Sequence, residues 1–177
     1  MPDDSLHLPE PEDSFDEKLI SDIHVYGWHC IHVADEHHPE HAQQNAALGP
    51  HPIYDAAFSY TVGLSLTLAH PELVLVGRWK HNHAIVSAAV SEIERELRFE
   101  VGSRSDQVLE GYEVCFGAVA PARREELLTY ASWANRRRSF DALQLILPDS
   151  TGHWPWDVGY VSVPQPLLDE SQPSSGR

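Results

Sequence analysis

His70 and Glu72 are the residues whose types and spacing most favour chemistry, because they place an imidazole and a carboxylate close together. They flank Pro71, which fixes its own φ and holds the preceding residue in an extended conformation. Apolar stretches precede and follow the pair, so the sequence predicts both groups at the edge of a buried sheet. Imidazole and carboxylate groups bind zinc, iron or nickel. The predicted ligands of a divalent transition metal are His70, Glu72 and His83, with His29 as an alternative third ligand. The competing interpretation is that each histidine forms only local hydrogen bonds.

A second set of residues favours a binding pocket without catalysis. Trp154, Pro155, Trp156 and Asp157 form a stiff aromatic segment that carries one carboxylate. Small-ligand sites are usually concave and apolar, with a few converging polar groups. The predicted ligand-binding residues are His70, Glu72, Gln144, Trp156 and Asp157. The alternative is structural, since the two tryptophans would then hold the C-terminal segment over the core.

Nucleophilic catalysis has little support in the sequence. The chain has no Gly-x-Ser-x-Gly motif, which forms the nucleophile elbow of many hydrolases. Cys30 and Cys115 lie among apolar neighbours, where a thiol usually serves packing. No catalytic residue is therefore assigned from the sequence.

The composition excludes some classes of partner. The formal net charge is −15, from 27 acidic and 12 basic residues, whereas nucleic-acid binding requires clustered lysine and arginine. No stretch approaches the ~18 apolar residues of a membrane-spanning helix. Two cysteines are too few for a disulfide framework, so a reducing compartment is expected. The sequence therefore predicts a cytoplasmic protein without nucleic-acid or membrane partners.

Apolar periodicity predicts an α+β fold, a single compact domain with a mixed, mostly antiparallel sheet of about five strands packed with about three helices. Ser14 and Glu17 match a capping box at the start of the first helix, and Gly27 suits its end. Asn82 is the predicted cap of the second helix, and Pro121 opens the third. The predicted strands are 28–33, 58–64, 73–76, 112–116 and 143–147. Residues 99–111 are predicted to form a connection.

The domain is predicted to span residues 14–168. Residues 1–13 and 169–177 are expected to be disordered tails, the first of them acidic and rich in proline. Residues 34–56 are predicted to form a long histidine-rich loop without periodicity. A loop of such length in a compact domain is either functional or disordered.

Five sequence blocks, in order along the chain, resemble a bacterial family known only as a domain of unknown function, number four-two-six-two. The blocks are GWHCIHV, FSYTVGLSLTLAHPELVLVG, RFEVGSRSDQVLEGYEV, LQLILPDSTGHWPWD and PQPLL. The resemblance covers roughly residues 15–168 and is more specific than any single short motif. It implies a small, soluble, single-domain protein and no particular activity. The histidine-rich loop departs from the family pattern, because members usually cross this region in fewer residues.

The expected function is binding of a small ligand or a peptide by a domain that is not itself a catalyst. A metal-dependent enzyme that uses His70 and Glu72 with a further histidine is the first alternative. It requires three ligands that converge on one ion and leave an open coordination position. A protein-interaction or accessory domain without a pocket is the second alternative, and it requires only an exposed apolar patch.

Overall fold

A computed structural model describes residues 6–33, 57–77 and 81–169 of the chain. The predicted histidine-rich loop at 34–56 lies outside these ranges, as do residues 1–5 and 170–177 of the two predicted tails. The helices are α1 (Ser14–Tyr26), α2 (Leu64–Thr67), α3 (Asn82–Glu94), α4 (Pro121–Leu127) and α5 (Thr129–Ala134). The strands are β1 (His29–Val33), β2 (Phe58–Val62), β3 (Glu72–Val76), β4 (Arg104–Leu109), β5 (Tyr112–Ala118) and β6 (Ala142–Ile146).

The strands form one mixed sheet in the order β1-β2-β3-β6-β5-β4. Strands β3 and β6 are parallel, and every other neighbouring pair is antiparallel. The predicted α+β class and mostly antiparallel sheet are therefore confirmed. The described residues contain six strands and five helices, where the sequence predicted about five and about three.

The additional strand, β4, was predicted to be a connection because its residues are mostly polar. It pairs with β5 through a turn at Gly111, whose φ of 81° suits glycine. A bulge interrupts the pairing between Ser105 and Leu109. As an edge strand it needs only one apolar face, and Val108 supplies its buried side chain. The polar composition therefore reflects an edge position.

The additional helices come from breaks and turns that periodicity does not reveal. The predicted third helix is divided at Leu128, which leaves α4 and α5 as separate short helices. A single helical turn, α2, fills the segment that was predicted to be a simple bend between β2 and β3. This turn directs backbone N–H groups towards Glu72.

Helix α1 begins and ends at residues that satisfy its terminal backbone groups. Asp13, rather than the predicted Ser14, is the N-cap, and its carboxylate accepts hydrogen bonds from the amides of Phe15 and Asp16 at 2.9 Å. Gly27 ends the helix with φ 85°, as predicted. At α3, the N-cap is His81, and Asn82 is the first helical residue.

The central strands β2, β3 and β6 are buried on both faces. Helices α1, α4 and α5 contribute to one apolar cluster, which contains Leu19, Tyr60 and Leu128. Helix α3 contributes to the other, which contains Leu75 and Ile93. None of the described helices is long and apolar enough to cross a membrane.

Candidate functional site

The candidate site is a cavity beside β1, the edge strand of the sheet, and we call it the edge pocket. Its volume is about 600 Å³. The lining residues come from α1, β1 and α3, and they are Lys18, Asp22, Tyr26, Trp28, His29, Cys30, His32, His83 and Glu94. The cavity combines aromatic rings, three imidazoles and charged groups, which is the mixture expected of a small-ligand site.

The end of α1 positions two walls of the edge pocket. Gly27 stops the helix and turns the chain into β1 within two residues. The last two turns of α1 supply Asp22 and Tyr26, Trp28 lies between the helix and the strand, and β1 supplies His29 and His32. Since side chains alternate along a strand, His29 faces α1 while His32 faces α3. The pocket therefore includes both faces of the free strand edge.

An Asp–His pair lines the pocket on the α1 side. His29 Nδ1 lies 2.7 Å from Asp22 Oδ2, and Lys18 Nζ donates to the same oxygen at 2.7 Å. The hydrogen bond from Lys18 lowers the pKa of Asp22, and His29 lowers it further, against the effect of burial. Asp22 is therefore an acceptor-only carboxylate, so Nδ1 of His29 carries the proton. Its Nε2 has no hydrogen-bond partner among the described residues.

His32 and His83 form the opposite wall together with Trp28. His32 Nδ1 lies 2.8 Å from Ser59 Oγ, which also accepts from Asn82 Nδ2 at 3.1 Å. The ring of His83 is stacked on Trp28 at 6.1 Å and 24°, and it lies 6.0 Å from the ring of His32. Burial lowers the pKa of His32, and the nearby His83 and His29 lower it further. Neutral imidazole at this wall both donates and accepts hydrogen bonds.

The environment of the pocket thiol disfavours the nucleophilic thiolate form. Burial raises the pKa of Cys30 to about 12, so the thiolate is negligible at neutral pH. The sequence-based expectation of an inert Cys30 agrees with this environment. The arrangement can bind and orient a ligand, and His29 Nε2 can exchange hydrogen bonds or a proton with it.

His70, one of the predicted site residues, uses both ring nitrogens inside the protein. Nδ1 lies 2.8 Å from the carbonyl oxygen of Pro71, and Nε2 accepts the amide of Phe99 at 3.2 Å. This pattern requires a neutral ring protonated at Nδ1. Burial lowers the pKa of His70 and Arg98 adds to the effect, while the Pro71 carbonyl opposes it. His70 therefore joins the start of β3 to the segment that leads into β4.

Acidification is expected to destabilise the protein through His70. Because the pKa of His70 is lower in the folded state than in the unfolded state, its stabilisation is complete above about pH 6.5 and is lost as the pH falls towards the folded-state pKa. The free energy of unfolding can be measured by urea denaturation at several pH values between about 7.5 and about 5. Plotted against pH, it should change more steeply in the wild type than in His70→Gln, by up to about 1.4 kcal/mol per pH unit. His24→Gln, on the exposed side of α1, is the matched control and should retain the wild-type slope. Parallel curves for wild type and His70→Gln would contradict the prediction.

Glu72 is completely buried, and its carboxylate accepts five hydrogen bonds. Oε2 accepts from Thr61 Oγ1 at 2.6 Å and from the Leu64 amide at 3.3 Å. Oε1 accepts from the Gly63 amide at 3.1 Å, the Ser65 amide at 3.1 Å and Ser65 Oγ at 2.8 Å. Burial raises the pKa of Glu72, and these hydrogen bonds oppose the rise. The carboxylate caps α2 and ties it to β2 and β3.

Gln144 connects the centre of the sheet to the C-terminal segment. Its Nε2 donates to the Pro166 carbonyl at 2.9 Å, and its Oε1 accepts the Leu168 amide at 2.9 Å. Gln165, on the C-terminal segment, bonds back to the residue after β6: its Oε1 accepts the Leu147 amide and its Nε2 donates to the Leu147 carbonyl. The two glutamines hold residues 165–168 against β6.

Trp156 and Asp157 lie near the opposite edge of the sheet. Trp156 is stacked on Trp154 at 5.4 Å and 8°, and the Arg104 guanidinium of β4 covers the Trp154 ring at 5.0 Å. Asp157 Oδ2 accepts the Trp154 amide at 2.8 Å, which closes the turn between them. Trp156 is 46% exposed, so this stack does not bury both tryptophans.

The predicted site residues thus fall into separate environments. Glu72 and Gln144 lie on the adjacent parallel strands β3 and β6, but their polar atoms bond different backbone segments. His83 belongs to the edge pocket, and Trp156 belongs to the aromatic stack near β4. Within the ranges that the structure describes, no three His, Cys, Asp or Glu side chains are grouped to hold a metal ion.

Sequence reasoning did not identify the edge pocket as a site. It placed His29 and Trp28 on a predicted strand and His83 at the start of a helix, but did not bring them together. The available signal was the His-x-x-His spacing of His29 and His32, which straddles both faces of one strand. The spacing becomes informative only once β1 is known to be an edge strand.

Comparison with known proteins assigns a family to the chain. No curated protein and no solved structure matches it. The family model described as "Domain of unknown function (DUF4262)" matches residues 22–161, most of the chain, and this range includes Asp22, Glu72 and His83. The chain belongs to the DUF4262 family.

Proposed function

We propose that this domain binds a small, flat ligand in the edge pocket and acts by binding rather than by catalysis. The observation that carries the proposal is the stacked pair of Trp28 and His83 at the wall of a cavity of about 600 Å³. Aromatic faces bind planar groups with little loss of side-chain entropy. Two free cysteines fit a reducing compartment, and we place this activity in the cytoplasm.

The polar groups of the pocket favour a nitrogen heterocycle. The proton on His29 Nδ1 is fixed by Asp22, so Nε2 is available as an acceptor. His32 has one ring nitrogen bonded to Ser59, which leaves the other for a ligand. A ring with an N–H donor at its edge can bond Nε2 of His29 while its face lies on the aromatic wall, and the free nitrogen of His32 donates or accepts according to its tautomer.

The charges of the pocket favour a neutral or singly cationic ligand. Asp22 and Glu94 are acidic and Lys18 is basic, and Lys18 is already paired with Asp22. Glu94, on the last turn of α3, is exposed and supplies an additional negative charge. An anionic ring would lie beside these carboxylates, and the described lining residues offer it no free lysine or arginine.

Substitution of His83 should weaken ligand binding without affecting the fold. A thermal-shift screen of planar nitrogen heterocycles, from nucleobases to pteridines and indoles, would first supply a ligand. His83→Ala removes one ring of the wall from an exposed position and should weaken the affinity for that ligand by about tenfold. The affinity is measured by titrating the protein with the ligand and recording tryptophan fluorescence. Trp156→Ala is the matched control and should leave the affinity unchanged. Equal affinities for wild type and His83→Ala would place the ligand elsewhere.

The exposed aromatic stack favours a second candidate, binding of a peptide at Trp156. Val158 and Val161 follow Trp156 along the chain and are also exposed, so an apolar surface continues from the stack. Under this candidate Trp156→Ala abolishes peptide binding and His83→Ala does not. The same pair of variants therefore separates the two functions.

A further inference from the structure

A second cavity, which shares no lining residue with the edge pocket, lies beside α4 and α5. Its volume is about 560 Å³, and we call it the arginine pocket. The lining residues are Arg124, Glu125, Thr129, Ser132, Trp133, Arg137, Arg138, Ser139 and Phe140. Three arginines around one cavity are a local exception in a chain of net charge −15.

Two of the three arginines have no counter-ion in the part of the chain that the structure describes. Arg137 and Arg138 are exposed, and their guanidinium groups form no hydrogen bond or ion pair within residues 6–33, 57–77 and 81–169. By comparison, Arg123 is paired with Glu126 at 2.9 Å, and Arg95 is paired with Glu92 at 2.7 Å. Arg95 and Arg123 thus have acidic partners, whereas Arg137 and Arg138 have none among the described residues.

Arg124 adds a third positive charge from the base of the cavity. Its guanidinium donates to the Phe140 carbonyl and lies over the Phe140 ring at 5.2 Å. Its Nε is buried and has no partner among the described residues. The nearest carboxylate oxygens belong to Asp141 at 3.8 Å and Glu125 at 4.0 Å, and both side chains are largely exposed. Its charge is therefore only weakly neutralised.

The backbone that presents the arginines is held in an unusual conformation. Arg136 and Arg137 have φ values of 52° and 58°, and two consecutive non-glycine residues in this region are uncommon. The turn is fixed by hydrogen bonds from the Arg136 amide to Trp133 at 2.8 Å and from the Arg137 amide to Ser132 at 2.7 Å. This conformation directs successive arginines towards one cavity.

We propose that the arginine pocket binds a phosphate monoester of a small molecule. A dianion gains more than a monoanion from several guanidinium groups, and planar guanidinium matches phosphate oxygens with two hydrogen bonds. Ser132 and Ser139 provide further donors, while Trp133 and Phe140 provide apolar walls for the organic part. Glu125, on the rim, opposes anion binding only from an exposed position. The acidity of the whole chain does not prevent this, because exposed charges are screened beyond about 10 Å.

The test is a calorimetric titration of the full chain with phenyl phosphate at low ionic strength. The wild type should bind it, and the double variant Arg137→Gln/Arg138→Gln should bind at least about tenfold more weakly. Arg95→Gln removes another exposed arginine and is the matched control, with unchanged affinity expected. The thermal midpoint of the double variant should agree with the wild type, since both substituted side chains are exposed and form no ion pair among the described residues.

Benzoate and inorganic phosphate separate the parts of the proposal. Benzoate should bind more weakly than phenyl phosphate, because it carries one charge fewer, and inorganic phosphate should bind more weakly because it lacks the ring. The proposal is overturned by absence of phenyl phosphate binding, by equal loss in Arg95→Gln, or by equal affinity for benzoate. None of these results bears on the edge pocket, whose proposed ligand is not anionic.

Discussion

Glu72→Ala is expected to lower the free energy of unfolding by about 4 kcal/mol, a large part of the total stability of a domain of this size. The substitution removes the acceptor of five hydrogen bonds, and three of their donors are backbone N–H groups at the start of α2. An unsatisfied buried donor costs about 1–3 kcal/mol. Local relaxation and water entry recover part of this cost, so the sum is smaller than five separate penalties.

The protonation state of Glu72 can be tested with an isosteric variant. Three of the five partners are backbone N–H groups, which can only donate, and the two hydroxyls can also donate, so an ionised carboxylate can accept from all five. Glu72→Gln places an NH₂ group against these donors and should cost about 2 kcal/mol, less than alanine because one acceptor and the shape remain. If the Glu72→Gln variant were as stable as the wild type, the native side chain would have to be protonated.

Urea denaturation provides the measurement, and Glu94→Ala provides the control. Glu94 is an exposed glutamate on α3, so its removal should change stability by no more than about 0.5 kcal/mol. A Glu72→Ala effect as small as that of the control would show that the five hydrogen bonds do not hold this region. Elemental analysis of the same proteins separates a metal ligand from a cap, since loss of stoichiometric metal only in Glu72→Ala would indicate coordination.

The sequence identified Glu72 as important but could not distinguish a ligand-binding carboxylate from a buried cap. Both produce an acidic residue beside a buried strand. The difference depends on α2, a single helical turn that periodicity cannot detect because it contains only four residues. Its free amides are the partners of the carboxylate. The strands around it were predicted because Phe58, Tyr60 and Val62 alternate with small or polar residues.

The edge pocket required information that residue patterns do not contain. His32 and His83 are separated by 51 positions, and they meet because β1 lies at the edge of the sheet beside α3. Strand order follows from long-range pairing, including the parallel contact of β3 with β6. Local periodicity indicates which segments are strands and which faces are apolar, but several strand orders satisfy the same pattern.

Gly63→Ala is expected to lower the free energy of unfolding by more than about 3 kcal/mol, an effect comparable to removal of Glu72, because it combines backbone strain with a steric clash. Gly63 has φ 117°, a conformation that residues with a Cβ rarely adopt. An added Cβ would lie 2.8 Å from the Gly27 carbonyl oxygen and 3.2 Å from Trp28 Cα. These neighbours are backbone atoms, which cannot rotate away as the end of a side chain can.

Gly102→Ala is the matched control, because it separates strain from the clash. Gly102 also has a positive φ, 89°, but an added Cβ there would meet nothing within 4 Å. It should cost only about 1 kcal/mol, which is the typical penalty of the left-handed conformation. Similar urea midpoints for the two variants would contradict the crowding argument.

Since Gly27 and Trp28 lead directly into β1, relief of the clash must move the wall of the edge pocket. Gly63→Ala should therefore also weaken any ligand that stacks on Trp28, whereas Gly102→Ala, beside β4 at the other edge of the sheet, should not.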